Sequence, residues 1–297
     1  MKNFYHLCAE GLSSSEFIIC ENDFRAAFNI VGVCAANVDA KVVAFSLEDS
    51  HPHFLLYGSL EQCVEFKTIF ELTYRKYLAI SRKSSSGILE DWQIIKVDDE
   101  AYLKNVGTYI VNQPTKDGKR VLPFDYRWSS GPLYFRSELV IPIWCVKEGK
   151  QLIPKQLKSY GIKERNSILH SKRTVPENWL ICDDLILPQN YVDVKLFESI
   201  YKTHNCYRAF LSSGRTRDDS IRLSIAQYRG VMLDDLEARM YCRELLLQMF
   251  NIQDVRRLDS KQRLDLAMAL RNNYNVTRRQ IATLVKLPIS EIETFVL

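Results

Sequence analysis

The sequence predicts a mixed α/β or α+β region over residues 1–136, followed by a mainly α-helical C-terminal region. In residues 1–136, segments with the apolar spacing of strands alternate with segments that have helical spacing. From residue 196 onward the apolar spacing is almost wholly helical. With 297 residues, 46% of them hydrophobic, the chain has enough apolar material for a sizeable core.

The elements of the first region follow from apolar spacing and turn signals. The helix that begins after Asp98 and Asp99 is well capped, because both residues are favourable at a helix N-cap. We expect this helix to stop at Pro114, since proline has no N–H to donate within a helix. The predicted strands are 4–10, 41–47, 53–59 and 92–97, and the predicted helices are 22–38, 60–80 and 100–113.

Changes in composition divide the chain into three regions. Residues 1–136 form the α/β region, and residues 137–195 are a basic segment, punctuated by proline, that we expect to connect it to the helical region. Residues 196–297 are predicted to be a helical domain with a possible helix-turn-helix, in which Thr277 and Gln280 have the spacing of a capping box.

Charge is unevenly distributed along the chain. Residues 1–136 hold 15 Lys and Arg against 17 Asp and Glu, a net charge of −2, whereas residues 137–297 hold 25 against 19, a net charge of +6. This excess in the second half suits contact with a phosphate backbone, and a solvated basic surface also explains it.

The N-terminal sequence and the cysteines bear on the cellular compartment. The segment MKNFYHLCAEGL lacks the apolar run of a signal peptide, and no apolar stretch approaches the roughly 20 residues that span a bilayer. The eight cysteines include no C-x-x-C pair, which favours reduced, buried thiols. We therefore expect a cytoplasmic protein that does not associate with a membrane.

Two histidines are candidates for metal binding. His51 and His53 flank Pro52 at the start of a predicted strand, where alternation places both imidazoles on the same side. Two neutral imidazoles on one face can bind a divalent ion. Two polar residues at the end of a strand are the alternative interpretation.

A tyrosine and a glutamine form a second candidate pair. Tyr109 and Gln113 are four residues apart in a predicted helix, so they share one face about one turn from each other. A phenol and an amide oxygen can then point toward the same place. Taken singly, Tyr109 can instead pack in a core and Gln113 can end the helix.

Together these motifs resemble one known family. The segment LEDSHPHFLLYG resembles the histidine-hydrophobic-histidine strand of the HUH single-strand endonucleases, and TYIVNQPTKDG resembles the tyrosine helix of the REP-associated tyrosine transposases. FYHLCAEG and YRWSSGPLYF resemble the first strand and the tryptophan-serine-serine segment of those transposases. The resemblance covers residues 3–136.

The resemblance implies a fold, a reaction and a set of site residues. It implies a ferredoxin/RRM-like antiparallel sheet with helices, the HUH nuclease fold, in an α+β protein. It assigns Tyr109 as the nucleophile, His51 and His53 as metal ligands, and Gln113 as a third ligand. The sequence departs from the family at Pro52, where a bulky hydrophobic residue is usual, at Ser50, where asparagine is common, and at Gln113, where asparagine is frequent.

The implied activity is that of a metal-dependent tyrosine transposase or DNA nuclease. Tyr109 would form a 5′-phosphotyrosine with single-stranded or hairpin DNA, supported by Mg²⁺ or Mn²⁺. Because each chain has one such tyrosine, cutting two ends favours a homodimer.

Two alternatives remain open at the level of sequence. The chain can be a catalytically retired DNA-binding host factor, or a regulator whose helix-turn-helix is the functional part. The last predicted helix, 289–297, offers no Arg, Lys, Asn or Gln for base recognition, whereas Arg278 and Arg279 are candidates for phosphate contacts.

Overall fold

A four-stranded antiparallel sheet lies at the centre of the first part of the chain. Its strand order is β2-β3-β1-β4, with β1 paired to β3 on one side and to β4 on the other. The strands are β1 (Asn3–Gly11), β2 (Lys41–Leu47), β3 (Pro52–Gly58) and β4 (Leu89–Val97). The computed structural model describes residues 2–11, 17–81, 89–116, 121–137, 140–212, 235–274, 276, 278–288 and 291–292.

Three helices accompany this sheet: α1 (Glu21–Asn37), α2 (Leu60–Ser81) and α3 (Glu100–Lys116). With α1 and α2 placed between strands, the order is βαββαβ, and β1 and β3 are the central strands. This is the ferredoxin-like arrangement. The strands and helices predicted for residues 1–136 are confirmed apart from the end of α3, and so is the α+β class.

The two faces of the sheet carry different helices. Phe54 of β3 contacts Phe66 and Phe70 of α2, with ring centroids 5.3 Å apart in both pairs. The preceding residue, His53, contacts Tyr109 of α3 instead. Since neighbouring residues of a strand point to opposite faces, α2 and α3 cover opposite faces of the sheet.

One boundary prediction was wrong. Helix α3 continues through Pro114 and ends at Lys116. A proline costs most in a helix interior, where it removes a hydrogen bond and its ring meets the carbonyl one turn earlier. Pro114 is buried in the last turn of α3, so the hydrogen bond that it removes lies near the end of the helix, and Gln113 stays within α3.

The aromatic segment after α3 lies against the edge strand β2. Ser129 forms an isolated antiparallel bridge with Ser46, and the hydroxyl of Ser130 accepts a hydrogen bond from the backbone N–H of Phe45. The hydroxyl of Tyr134 donates to the carbonyl of Val43 over 2.6 Å. These bonds satisfy polar groups along the edge of β2, which an uncovered strand would leave open.

Short elements follow over residues 140–212. They are β5 (Val146–Lys147), β6 (Lys150–Gln151), β7 (Lys155–Gln156), α4 (Ile162–Leu169), β8 (Leu180–Cys182), β9 (Leu185–Ile186), α5 (Val194–Tyr201) and α6 (His204–Ser212). Strands β5 and β6 pair with each other, and β7, β8 and β9 form a small antiparallel sheet.

A buried asparagine of α1 joins this helix to α4 and to the hairpin of β8 and β9. Asn29 donates to the carbonyls of Ile168 and Asp184 over 3.0 and 2.8 Å and accepts from the N–H of Ile186 over 2.8 Å. Asn29 is 2% exposed. One side chain therefore satisfies three backbone groups, which lie in α4, in the turn between β8 and β9, and in β9.

Helix α5 lies close to α3 at a glycine. A Cβ atom at Gly107 would lie 2.5 Å from the hydroxyl of Tyr201 and 3.2 Å from the ring of Phe197. That hydroxyl donates to the carbonyl of Lys104 over 2.6 Å. The absence of a side chain at Gly107 thus allows α5 to pack directly on α3.

The chain divides into two compact units, Met1–Asp218 and Asp219–Leu297. The second unit contains α7 (Asp235–Phe250), α8 (Ser260–Tyr274) and α9 (Arg278–Val285), packed around buried leucine, isoleucine and valine side chains. None of the described helices is both long and apolar enough to cross a bilayer. The predicted division of the chain into three regions, with boundaries at residues 136 and 195, stays a prediction.

The hydrogen bonds of Asn29 predict a large effect on stability. Asn29→Ala should lower the free energy of unfolding by about 3 kcal/mol, because a buried polar group left unsatisfied costs about 1–3 kcal/mol. Asn37→Ala is the matched control, since Asn37 is half-buried and bonds to Val33 and Thr174. Urea denaturation measures both variants, and equal losses would contradict the role assigned to Asn29.

Candidate functional site

The register of β1 and β3 brings two histidines and a cysteine onto one face of the sheet. Cys8 lies directly opposite His53, and His6 lies two residues before Cys8 on the same strand. Alternation along β1 gives His6 and Cys8 the same orientation, and a cross-strand pair shares a face. His6, Cys8 and His53 are all fully buried.

The two buried histidines contact each other through ring nitrogens. Nε2 of His6 and Nδ1 of His53 are 3.2 Å apart, and the rings are stacked with centroids 5.4 Å apart. Burial, with a smaller contribution from the charge of His51, lowers the pKa of His6 from 6.5 to about 3. His6 is therefore neutral at neutral pH and has one nitrogen lone pair to offer.

Helix α3 places Tyr109 against both histidines. Its ring lies edge-on to His53, with centroids 5.5 Å apart at 86°, and to His6, with centroids 6.1 Å apart at 73°. The tyrosine is 2% exposed. The candidate nucleophile thus lies beside one of the candidate metal ligands.

His51 precedes β3 and lies next to His53. The two rings are 4.6 Å apart at 71°, and Nδ1 of His51 is 2.7 Å from the hydroxyl of Ser50. A backbone hydrogen bond from Glu48 to the carbonyl of His51 closes the turn over 3.1 Å. Pro52 is the first residue of β3, a position that tolerates proline, and it does not separate the histidine pair.

Gln113 follows Tyr109 by one turn of α3. It is 4% exposed, and its Nε2 has no hydrogen-bond partner among the described residues. A buried amide N–H without a partner carries a cost that a hydrogen-bond acceptor, such as a phosphate oxygen, can remove. Ligation by Gln113 stays a prediction, as does the whole set of His51, His53 and Gln113.

The structure adds two residues of the first-strand segment FYHLCAEG to the site, and the sequence analysis assigned neither of them a role. One ligand atom each from His6, Cys8 and His53 lies within 4.8 Å of the others, a spacing that can hold a metal ion. The signal for His6 and Cys8 is the H-x-C spacing on the first strand, which has the same period of two as His51 and His53. This spacing indicates a site only because β1 pairs with β3, which brings His6 and Cys8 to His53.

The candidate phosphate-binding arginines belong to the second unit. Arg278 and Arg279 begin α9, and their side chains lie outside the described residues. The predicted final helix, 289–297, is described only at residues 291 and 292. Phosphate contact by Arg278 and Arg279 therefore stays a prediction.

Comparison with solved structures shows a weak structural likeness. No protein-family model matches the chain, and no curated protein matches it. The solved structure of a REP-associated tyrosine transposase bound to a REP hairpin is similar, with a TM-score of 0.33 and 11% sequence identity. The match covers 42% of this chain and 74% of that one. Similarity at this level is not evidence for a shared chemistry.

The buried, neutral His6 predicts a specific pH dependence of stability. Below pH 6.5 the unfolded chain takes up a proton at His6 that the folded chain, with a pKa of about 3, does not bind. The stability that His6 provides is therefore complete above pH 6.5 and is lost as the pH falls toward 3. Between pH 6.5 and 3 the free energy of unfolding falls by up to about 1.4 kcal/mol for each pH unit.

The variant His6→Leu should remove this contribution. Chemical denaturation in the presence of a chelator, at several pH values between 6.5 and 5, should give a shallower pH dependence than in the wild-type chain. Identical slopes for the two chains would show that His6 is protonated in the folded state.

Proposed function

We propose that this chain cuts and rejoins single-stranded DNA through Tyr109. The observation that carries the proposal is the ring contact of Tyr109 with His53, which in turn contacts His51. Three residues from two motifs that are more than 50 positions apart in the sequence thus meet in one place. The choice of DNA as the substrate rests on the resemblance of these motifs to those of tyrosine transposases.

The proposed reaction is an in-line displacement at phosphorus. The phenol of Tyr109 gives up its proton and its oxygen attacks the scissile phosphate, the bond from phosphorus to the 3′ oxygen breaks, and the 3′ oxygen takes up a proton and leaves as a 3′-hydroxyl. The resulting 5′-phosphotyrosine conserves the energy of the phosphodiester. A 3′-hydroxyl can therefore attack it in the reverse sense and rejoin the strand.

The proposed ligands of the metal ion are His51, His53 and Gln113. Their chemistry fits a divalent ion, since two imidazoles and an amide oxygen are all neutral donors of a kind that metals accept in proteins. When bound, Mg²⁺ or Mn²⁺ supplies positive charge that stabilises the charge developing on the phosphate. The chain itself orients the donors through the 48–51 turn and α3.

Burial of the site favours a second candidate function. Tyr109 is 2% exposed and His53 is fully buried, so side chains must move before a phosphate reaches the phenol. If this movement does not occur, the protein binds DNA hairpins without cutting them, which is the second candidate function. A covalent protein–DNA adduct is expected for the nuclease and not for the binding protein.

The nuclease requires the hydroxyl of Tyr109. Tyr109→Phe should abolish the covalent adduct with single-stranded DNA, a loss of more than about 1,000-fold, because the nucleophile is removed while the ring is kept. Tyr102→Phe is the matched control, since Tyr102 lies on the same helix and is half-buried. A denaturing gel with labelled DNA measures the adduct.

The gel distinguishes the two candidate functions and tests Tyr109 as the nucleophile. An adduct in the wild type and in Tyr102→Phe, together with none in Tyr109→Phe, supports the nuclease. An undiminished adduct in Tyr109→Phe contradicts Tyr109 as the nucleophile. DNA binding with no adduct in any chain supports the second candidate.

Metal dependence is a separate prediction. Chelation should abolish the adduct, and His51→Ala should lower the apparent metal affinity while leaving Tyr109 in place, so that excess Mn²⁺ restores part of the activity. Adduct formation measured against Mn²⁺ concentration gives this affinity. Full wild-type cleavage in a chelator would exclude a metal-dependent reaction at these histidines.

We propose a homodimer for the complete reaction, because each chain contributes one Tyr109 and two DNA ends need two nucleophiles. Contact of Arg278 and Arg279 with the DNA backbone belongs to the same proposal. Its basis is charge, since residues 137–297 carry the net positive charge of the chain.

A further inference from the structure

We infer that His6 is a positioning residue, which sets the tautomer and orientation of His53 so that Nε2 of His53 faces the metal ion. This inference rests on the proposed function, because it requires His53 to be a metal ligand. The sequence analysis assigned His6 no role within the first-strand segment FYHLCAEG, and the contact with His53 assigns it this one.

The hydrogen bond between the two rings has a direction that metal binding decides. A neutral imidazole carries its proton on one nitrogen, and the other nitrogen is the acceptor or metal ligand. Nδ1 of His53 lies 3.2 Å from Nε2 of His6. If Nδ1 of His53 donates to His6, the lone pair of His53 is on Nε2, which is the state that a ligand through Nε2 requires.

His6 is well placed to be this acceptor. It lies on the central strand β1, where its backbone is paired with Leu55 of β3 on one side and with Ile95 of β4 on the other. The edge of the Tyr109 ring packs against the His6 ring, and His6 is fully buried. The acceptor nitrogen is therefore held in a fixed position, as expected of a group that orients a metal ligand.

The position of Cys8 allows a second explanation of the contact between His6 and His53, in which His6 is itself a metal ligand. Because the sulfur of Cys8 lies within 4.8 Å of a ring nitrogen of each histidine, one nitrogen of His6, one nitrogen of His53 and the Cys8 thiolate can instead bind one ion directly. The thiol would then release its proton to solvent on metal binding. A thiolate sulfur favours Zn²⁺ and similar softer ions over Mg²⁺, which prefers oxygen ligands. The two explanations differ in whether sulfur contacts the metal.

The test compares metal binding by the full-length chain and its variants. Isothermal titration with Mn²⁺ should show an affinity lower by about 10- to 100-fold in His6→Leu, the usual effect of losing a partner of a metal-binding histidine. His6→Gln should recover most of the affinity, because its amide oxygen can take the place of Nε2 as the acceptor. Cys8→Ser should bind Mn²⁺ as the wild type does.

Folding of each variant is checked by thermal unfolding in a chelator. If His6→Leu does not fold, His6→Met provides a side chain of similar volume with only a weak acceptor, and its affinity is compared with that of His6→Gln. Unchanged Mn²⁺ affinity in a folded His6→Leu or His6→Met chain would overturn the inference. Equal weakening in His6→Gln and His6→Leu would do so too, since a lost acceptor would then not be the cause.

Cobalt spectroscopy decides between the two explanations. Co²⁺ bound by the wild-type chain should show no thiolate-to-cobalt charge-transfer absorption. Such an absorption, removed by Cys8→Ser, would overturn the positioning role and make His6, Cys8 and His53 the ligands. The adduct assay reports separately on the proposed function: an adduct that depends on Tyr109, with no effect of His6 on metal affinity, would leave the nuclease intact and refute only the inference.

Discussion

The antiparallel pairing of β1 with β3 is the interaction on which the candidate site depends. It places Cys8 opposite His53 and sets His6 beside them, on the face that α3 covers. A slip of one residue would turn His6 and Cys8 toward the other face, where α2 packs its aromatic side chains. The burial of alternating apolar residues in β1 and β3 therefore specifies the polar site together with the core.

The position of helix α3 is the second constraint on the site, and the helix packs against the sheet on one side and against α5 on another. Its inner side meets the histidines through Tyr109, while α5 packs at Gly107 and binds the carbonyl of Lys104 through Tyr201. Residues well beyond position 136 thus pack on the helix that carries Tyr109.

The surroundings of the site determine its chemistry as much as its donors do. Burial keeps His6 neutral, and neutral imidazoles are the form that binds a metal or accepts a hydrogen bond. The same burial limits access to Tyr109. Exclusion of water strengthens every interaction with a bound ion or phosphate, so a site of this kind combines strong electrostatics with a need for local opening.

The sequence by itself determined the local pattern: strands with a period of two, helices with apolar faces, and the spacing that puts His51 beside His53 and Tyr109 one turn before Gln113. These features depend on neighbours in the chain. Tertiary structure decided the rest, because strand pairing and helix packing join residues whose separation carries no periodic signal. It brought His6 and Cys8 to His53, kept α3 helical through Pro114, and packed Tyr201 on α3.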